Sequence, residues 1–495
     1  MPSYCTSIIP TYGANRTMTS PIFTPKSLNK FKEKCVKARY VEMMNPYVAG
    51  IDVGSRFHFV AAPLISENSH EIRIRQFSCF TPDLHALADW LKECKVTSVV
   101  MESTGVYWIP LYEILESRGF DVNLVDARHV KNVTGRKSDV EDCQWLQQLH
   151  ASGLLSAAFR PAESILPLRS YMRQRETLIK ASAVAVQHMQ KALSQMNLHL
   201  SNVINDIAGL TGMAIIRAII SGERDPKKLV QFRHKNCKQP KDIIEKSLIG
   251  NYRQEHLFSL QQALEAFDFY QQQILKCDKQ IESALAELTS SSPNLDRKES
   301  LQPAKTPRTY RGSGNPFYFN PLEFLRSLHK VDVTKIPGIE ANLAVKILSE
   351  VGTDMKKWRS EKHFTSWLGL SPQNKVSGGK RLSSKTKPSS NRAAECFRLA
   401  AFSLYRSQTA LGAFLRRLKA KQGAPKAITA TARKIAVIFY SMLTKGTEYV
   451  EAGLQYYEEK YKHRLLKGLQ KRAQELGCTL ISLPPAEDNY KGSYA

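Results

Sequence analysis

Residues 47–55, Y-V-A-G-I-D-V-G-S, decide how the first third of this chain folds. A short run of small and β-branched apolar residues ends in one acid, Asp52, followed by a glycine turn. Buried strands of α/β sheets read this way, and their carboxylates emerge at strand ends, where such sheets build sites. Residues 96–102, V-T-S-V-V-M-E, repeat the pattern and end in Glu102.

Around these two runs, strands are expected near 57–62, 72–77, 98–101 and 121–125, with helices over 84–91 and 109–119. An opening hairpin followed by β-α units is the layout of ribonuclease-H-like domains. A helix should follow in S138-D-V-E-D-C-Q-W-L-Q-Q-L149, where Val140, Trp145, Leu146 and Leu149 keep helical spacing and Ser138 can cap the start. Asp139 and Asp142, three apart, then share one helical face.

A cluster of the four acids Asp52, Glu102, Asp139 and Asp142 calls for cations. Mg²⁺, with Mn²⁺ as the alternative, takes carboxylate and phosphate oxygens, and two such ions can clamp both oxygens of a phosphodiester exchange. Taken singly, each acid also reads as an ordinary exposed carboxylate or a helix-start residue.

Charge points to the same polymer. Seventy-one Lys and Arg against forty-five Asp and Glu leave +26 on 495 residues. From Lys356 to Lys434 nineteen bases face only Glu361 and Glu395, a concentration suited to a phosphate backbone. Nine cysteines with no C-x-x-C argue for reduced thiols in a cytoplasmic protein and against a zinc site. No apolar stretch reads as a secretion leader or membrane span.

The length calls for several units. Residues 1–45 form a basic extension, read equally well as a nucleic-acid arm or a solubilising tail. The α/β domain covers 46–160. Over 161–290 two long helices carry coiled-coil seams: Leu168, Met172, Arg175, Ile179, Ser182, Val186, Met189, Leu193, Met196, Leu200, then Leu257, Leu260, Leu264, Phe267, Gln271, Ile274, Asp278, Ile281, Leu285, Leu288. They favour a homodimer, with an intramolecular hairpin as the alternative. A Ser-, Pro- and Lys-rich flexible linker is expected over 291–328. A mainly helical domain over 329–450 opens with a helix-hairpin-helix-like unit, I336-P-G-I-E-A-N-L-A-V-K-I-L-S-E-V-G352, and 451–495 is a tail.

Within that domain, W367-L-G-L-S-P-Q-N-K-V-S-G-G-K-R381 places Ser377 before Gly378 and Gly379, which free the backbone for close approach to a phosphate. Lys380, Arg381, Lys385, Lys387 and Arg392 can neutralise charge there. Ser377 could attack phosphorus; on spacing alone, a turn serine in a basic loop fits the stretch better.

Taken in order, D-V-G-S, M-E-S-T-G-V-Y-W, G-R-K-S-D-x-x-D and W-L-G-L-x-P followed by S-G-G-K and N-R-A-A resemble the transposases of insertion-sequence family 110, its 1111-like subgroup in particular, over roughly residues 47–445. The resemblance implies a RuvC-like domain whose metal-binding catalytic set is Asp52, Glu102, Asp139 and Asp142, joined by a coiled coil to a domain with a nucleophilic serine at Ser377. Ser383, Ser384 and Ser389 are rivals, because relatives carry glycines where this chain has Ser384 and Ser389. It further implies a bridge RNA that pairs with donor and target DNA, strand exchange by a homodimer or a tetramer on DNA, and a bacterial, nucleoid-associated location. A Holliday-junction-resolvase-like nuclease would share the acids but not the serine. A non-catalytic RNA-binding protein would need neither. A sugar-kinase reading of G-I-D-V-G-S lacks the second glycine-rich loop it requires.

Overall fold

The computed structural model describes residues 44–66, 69–103, 105–125, 139–290, 315–451 and 453–479, together with the backbone of 34–37. Ser138, expected to cap a helix, lies outside them. The chain divides into two compact units, Met1–Arg160 and Pro161–Ala495.

The first unit is built on a six-stranded sheet. Strands β1 (Lys34–Lys37), β2 (Val48–Val53), β3 (Phe57–Ser66), β4 (Ser69–Ser78), β5 (Ser98–Glu102) and β6 (Asp121–Val125) lie in the order β1-β4-β3-β2-β5-β6. β2, β3, β4 and β1 pair antiparallel; β2, β5 and β6 pair parallel. Part of the stretch expected to stand outside the domain thus supplies its edge strand.

Side-chain alternation sorts the strands' residues onto two faces. Ala49, Ile51, Val53, Val99 and Met101 enter a core with α1 (Thr81–Glu93) and α2 (Trp108–Ser117). The even-numbered residues of β2 and β5 point the other way, where α3 (Asp139–Ala151) packs through Cys143 and Leu146.

In the second unit, α4 (Leu166–Gln195) and α7 (Gln254–Ser290) run antiparallel. Both seams read from the sequence face each other within one chain, the intramolecular arrangement. Their polar interruptions match: Arg175 Nε donates to Asp278 Oδ1 at 2.5 Å, and Gln271 Nε2 donates to Ser182 Oγ at 3.0 Å. One end of the pair is covered by α5 (Leu210–Ile220) and α6 (Lys241–Ser247), whose Ile215, Ile219 and Ile244 join Met189, Leu193, Leu260 and Leu264.

The linker expected over 291–328 is corrected from Asn315 onward. Arg175 Nη2 donates to the carbonyls of Asn315 and Pro316, both at 3.1 Å, its guanidinium stacks 4.4 Å over Phe317, and Tyr318 N donates to Asp278. Burial of Phe317 and Phe319 seats this segment, and α8 (Leu322–His329) follows directly. A composition rich in Ser and Pro hid two aromatic anchors.

After α8 come α9 (Ala341–Val351), α10 (Glu361–Trp367), α11 (Arg392–Ser403), α12 (Ala410–Gln422), α13 (Ala424–Lys445) and α14 (Gly453–Glu475), the last within the expected tail. Phe364, Phe397 and Phe439 form their fully buried aromatic centre. Glu350 of α9 ties this bundle to α4 by accepting from Arg169 and Arg173 at 2.8–2.9 Å. In the helix-hairpin-helix-like turn, Gly338 has φ 89° and a Cβ there would meet Ala400 O at 2.4 Å, so its demonstrated task is packing against α11.

Arg175 and Asp278 are both almost fully buried. Asp278→Ala should cost about 3–5 kcal/mol by leaving a buried guanidinium unpaired. Arg175→Met with Asp278→Leu should regain most of that, as measured by urea denaturation.

Candidate active site

The register of the parallel strands positions the first two acids. Ile51 pairs with Met101, so Asp52 and Glu102 are the next residues on adjacent strands, roughly 5 Å apart along the hydrogen-bonding direction. Both are even-numbered and therefore share the α3 face of the sheet.

Gly50 sets how close α3 comes to that face. A Cβ at Gly50 would lie 2.3 Å from Gln147 N and 2.4 Å from Cys143 O, so only glycine lets the helix backbone rest on β2. Gln147 Nε2 also donates to Val48 O at 3.4 Å. With Cys143 seated against Gly50, the first turn of α3 reaches along β2 toward Asp52, and that turn holds Asp139 and Asp142. Acids are favoured at a helix start by the macrodipole, which accounts for part of their presence.

The charges of the other three acids all act on Asp52. Its pKa is raised to about 6, first by burial and then by the charges of Asp139, Asp142 and Glu102. The convergence is at the range of charge repulsion: among the described residues, no three His, Cys, Asp or Glu side chains stand close enough to hold one ion. An all-oxygen donor set suits a hard divalent ion.

Ser377 lies in the other unit. β7 (Lys375–Ser377) and β8 (Lys380–Ser383) form a hairpin in which Gly378 and Gly379, at φ 54° and 73°, make the two-residue turn that requires positive φ twice. Ser377, Gly378, Gly379, Lys380, Arg381, Lys385 and Lys387 are all exposed. Ser377 Oγ has no hydrogen-bond partner among the described residues.

The rival serines are placed differently. Ser383 Oγ accepts from Lys385 N at 3.3 Å and Ser389 Oγ from Asn391 N at 3.2 Å, so both hydroxyls hold turns. Ser389 also packs against Gly369, whose Cβ would meet it at 2.7 Å. Ser384 is exposed, as Ser377 is. Arg392 is not on the hairpin: at the start of α11 it is ion-paired with Glu176 at 3.2 Å.

The sequence reading missed Gly50, Cys143 and Gln147. A lone glycine inside a strand pattern, two residues before an acid, was the available signal.

Asp52 and Glu102 thus end adjacent parallel strands, Asp139 and Asp142 begin the helix packed beside them, and the basic second unit carries an exposed serine hairpin. A family model described as Transposase, that of the IS110 DEDD type, matches residues 49–198, spanning all four acids. A second, described as Transposase IS116/IS110/IS902 family, matches residues 332–416 and spans the hairpin. No curated protein matches the chain. The class is therefore DEDD transposase, an enzyme that binds and recombines DNA with divalent metal.

Within that class, the chain belongs to the IS110 family of transposases. No described helix is long and apolar enough to cross a membrane.

Two measurements probe the site. Gly50→Ala should cost about 3 kcal/mol by pushing α3 off β2, read by chemical denaturation. The Asp52 carboxyl binds its proton more tightly folded than unfolded, so its contribution to stability falls as pH rises from the usual carboxylate range through about 6. Asp52→Asn should therefore stabilise the metal-free protein at pH 8 by about 1 kcal/mol, allowing for solvent screening, and should abolish the stabilisation that Mg²⁺ gives the native chain. Equal Mg²⁺ gains in both proteins would exclude Asp52 as a ligand.

Proposed function

We propose that this transposase excises and inserts a mobile element by strand exchange, with Asp52, Glu102, Asp139 and Asp142 holding Mg²⁺ and Ser377 as the nucleophile. The carrying observation is the set of charges acting on Asp52: besides burial, which raises its proton affinity most, Asp139, Asp142 and Glu102 from two other elements raise it further. The sheet order, with an antiparallel β2-β3-β4 meander extended by parallel β5 and β6, supports reading the first unit as RuvC-like, that is, ribonuclease-H-like.

Divalent ions bound there supply charge neutralisation at the scissile phosphate. The chain's own residues do the rest. Asp52 and Glu102 are held by strand register, and Asp139 and Asp142 by the α3 seat on Gly50. Ser377 Oγ forms a bond to phosphorus as the phosphodiester's leaving oxygen departs, giving a serine phosphodiester and a free DNA hydroxyl; the hydroxyl proton passes to solvent or to the leaving oxygen. The positive φ of Gly378 and Gly379 and the exposed Lys380 and Arg381 let the tip approach a phosphate. Reversal of the same step, with a different DNA hydroxyl attacking, rejoins the strands without loss of bond energy.

Sequence choice is assigned to a bridge RNA that pairs with donor and target DNA in a homodimer, or a tetramer on DNA, at the nucleoid. The support is the basic stretch from Lys356 to Lys434, which suits backbone contact more than base reading.

Asp52→Ala or Asp142→Ala should lower recombination at least about a thousandfold while copurifying RNA is retained. Ser377→Ala should abolish the covalent protein–DNA adduct trapped by denaturation. An adduct that persists in Ser377→Ala and disappears in Ser384→Ala moves the nucleophile to Ser384. Free DNA ends with no adduct in the native chain would instead favour a hydrolytic nuclease.

A further inference from the structure

Helix α14, Gly453–Glu475, has no buried residue, and every position from Glu458 to Arg472 is exposed. Its attachment is at its first turns, where the Arg417 guanidinium lies 3.8 Å over the Tyr461 ring and 5.1 Å over Tyr457. Leu465, Leu469 and Leu476 nonetheless present large apolar side chains to solvent, Leu476 at 81 % exposure. At about 100° per residue, Leu454, Tyr461, Leu465 and Leu469 fall within roughly 40° of a single line along the helix, and Leu476, one residue past its end and still bonded through its N–H to Arg472 O, continues that line. A stripe of this kind on an exposed helix marks a contact surface.

The order of residues along the stripe identifies what covers it. Two charges interrupt the line, Glu458 near one end and Arg472 near the other. Around Leu465 the stripe is symmetric in position: Tyr461 and Leu469 lie four residues to either side, Glu458 and Arg472 seven, Leu454 and Leu476 eleven. A second identical helix laid antiparallel across Leu465 therefore meets Leu465 with Leu465, Tyr461 with Leu469, Leu454 with Leu476, and Glu458 with Arg472, each of the last three pairs formed twice. A parallel pairing would instead set Glu458 against Glu458 and Arg472 against Arg472. Like charges set against each other disfavour that arrangement, so the two charges favour the antiparallel direction and register.

We propose that α14 is a self-association site, pairing antiparallel with α14 of a second copy about a two-fold axis at Leu465. The contact is isologous, as closed dimers require. It spans about 33 Å of helix and is modest by itself. Its effect is to add a second link between copies already brought together on DNA. The proposal stands apart from the catalytic reading, because α14 carries none of the proposed catalytic residues and lies outside both family matches.

The test uses the full chain with the exposed Cys79 and Cys478 changed to Ser. Under mild oxidation, Leu465→Cys should give a disulfide-linked dimer, while Lys467→Cys, on the opposite side of the helix, should not. In sedimentation velocity, Glu458→Arg and Arg472→Glu should each weaken α14-dependent association about tenfold, and the double charge swap should restore it. Equal cross-linking at 465 and 467, or a double swap no better than either single change, overturns the proposal. So does a Leu465→Asp variant that loses nucleic-acid binding with its mass unchanged, since the stripe would then face a polynucleotide.

Discussion

The approach of α3 to β2 over Gly50 is the constraint on which the first unit depends. A methyl group at that position would sit inside the backbone of Cys143 and Gln147, so the helix either rests on a bare strand or does not rest there at all. Because Gly50 and Asp52 are two apart on one strand, the same geometry that admits the helix aims Asp52 toward its first turn. Packing and chemistry are thereby coupled: the helix that buries Cys143 and Leu146 also delivers Asp139 and Asp142.

That coupling comes with an electrostatic cost. Asp52 is partly buried and surrounded by three other carboxylates, and its proton affinity rises accordingly. Among the described residues, no three His, Cys, Asp or Glu side chains are grouped to hold an ion. Carboxylate oxygens of this type suit a hard divalent ion, whose shell phosphate oxygens complete readily. The serine hairpin follows the opposite logic: Ser377 is exposed and surrounded by bases, on a turn whose two glycines carry the positive φ angles.

The long helices of the second unit solve another problem of specificity. An apolar seam of many similar residues can slip, whereas the buried Arg175–Asp278 and Ser182–Gln271 pairs close only in one antiparallel register. Arg175 also gathers the carbonyls of Asn315 and Pro316, so the register of the hairpin and the return of the chain rest on one guanidinium. The seams themselves were legible as heptads. Their partner was not, because an a/d stripe looks the same whether it faces its own chain or another.

The sequence by itself determined the strand-end acids, the alternation of the first domain, both long seams and the glycine turn after Ser377, because each is written in periodicity or turn chemistry over a few neighbouring residues. Tertiary structure decided what periodicity does not encode. It turned a glycine inside a strand into the seat of a helix, made anchors of Phe317 and Phe319 in a stretch that composition marked as linker, and engaged Arg392 with Glu176 away from the basic hairpin. The physical reason is the same in each case: close approach, burial and ion pairing are properties of atoms brought together from distant parts of the chain.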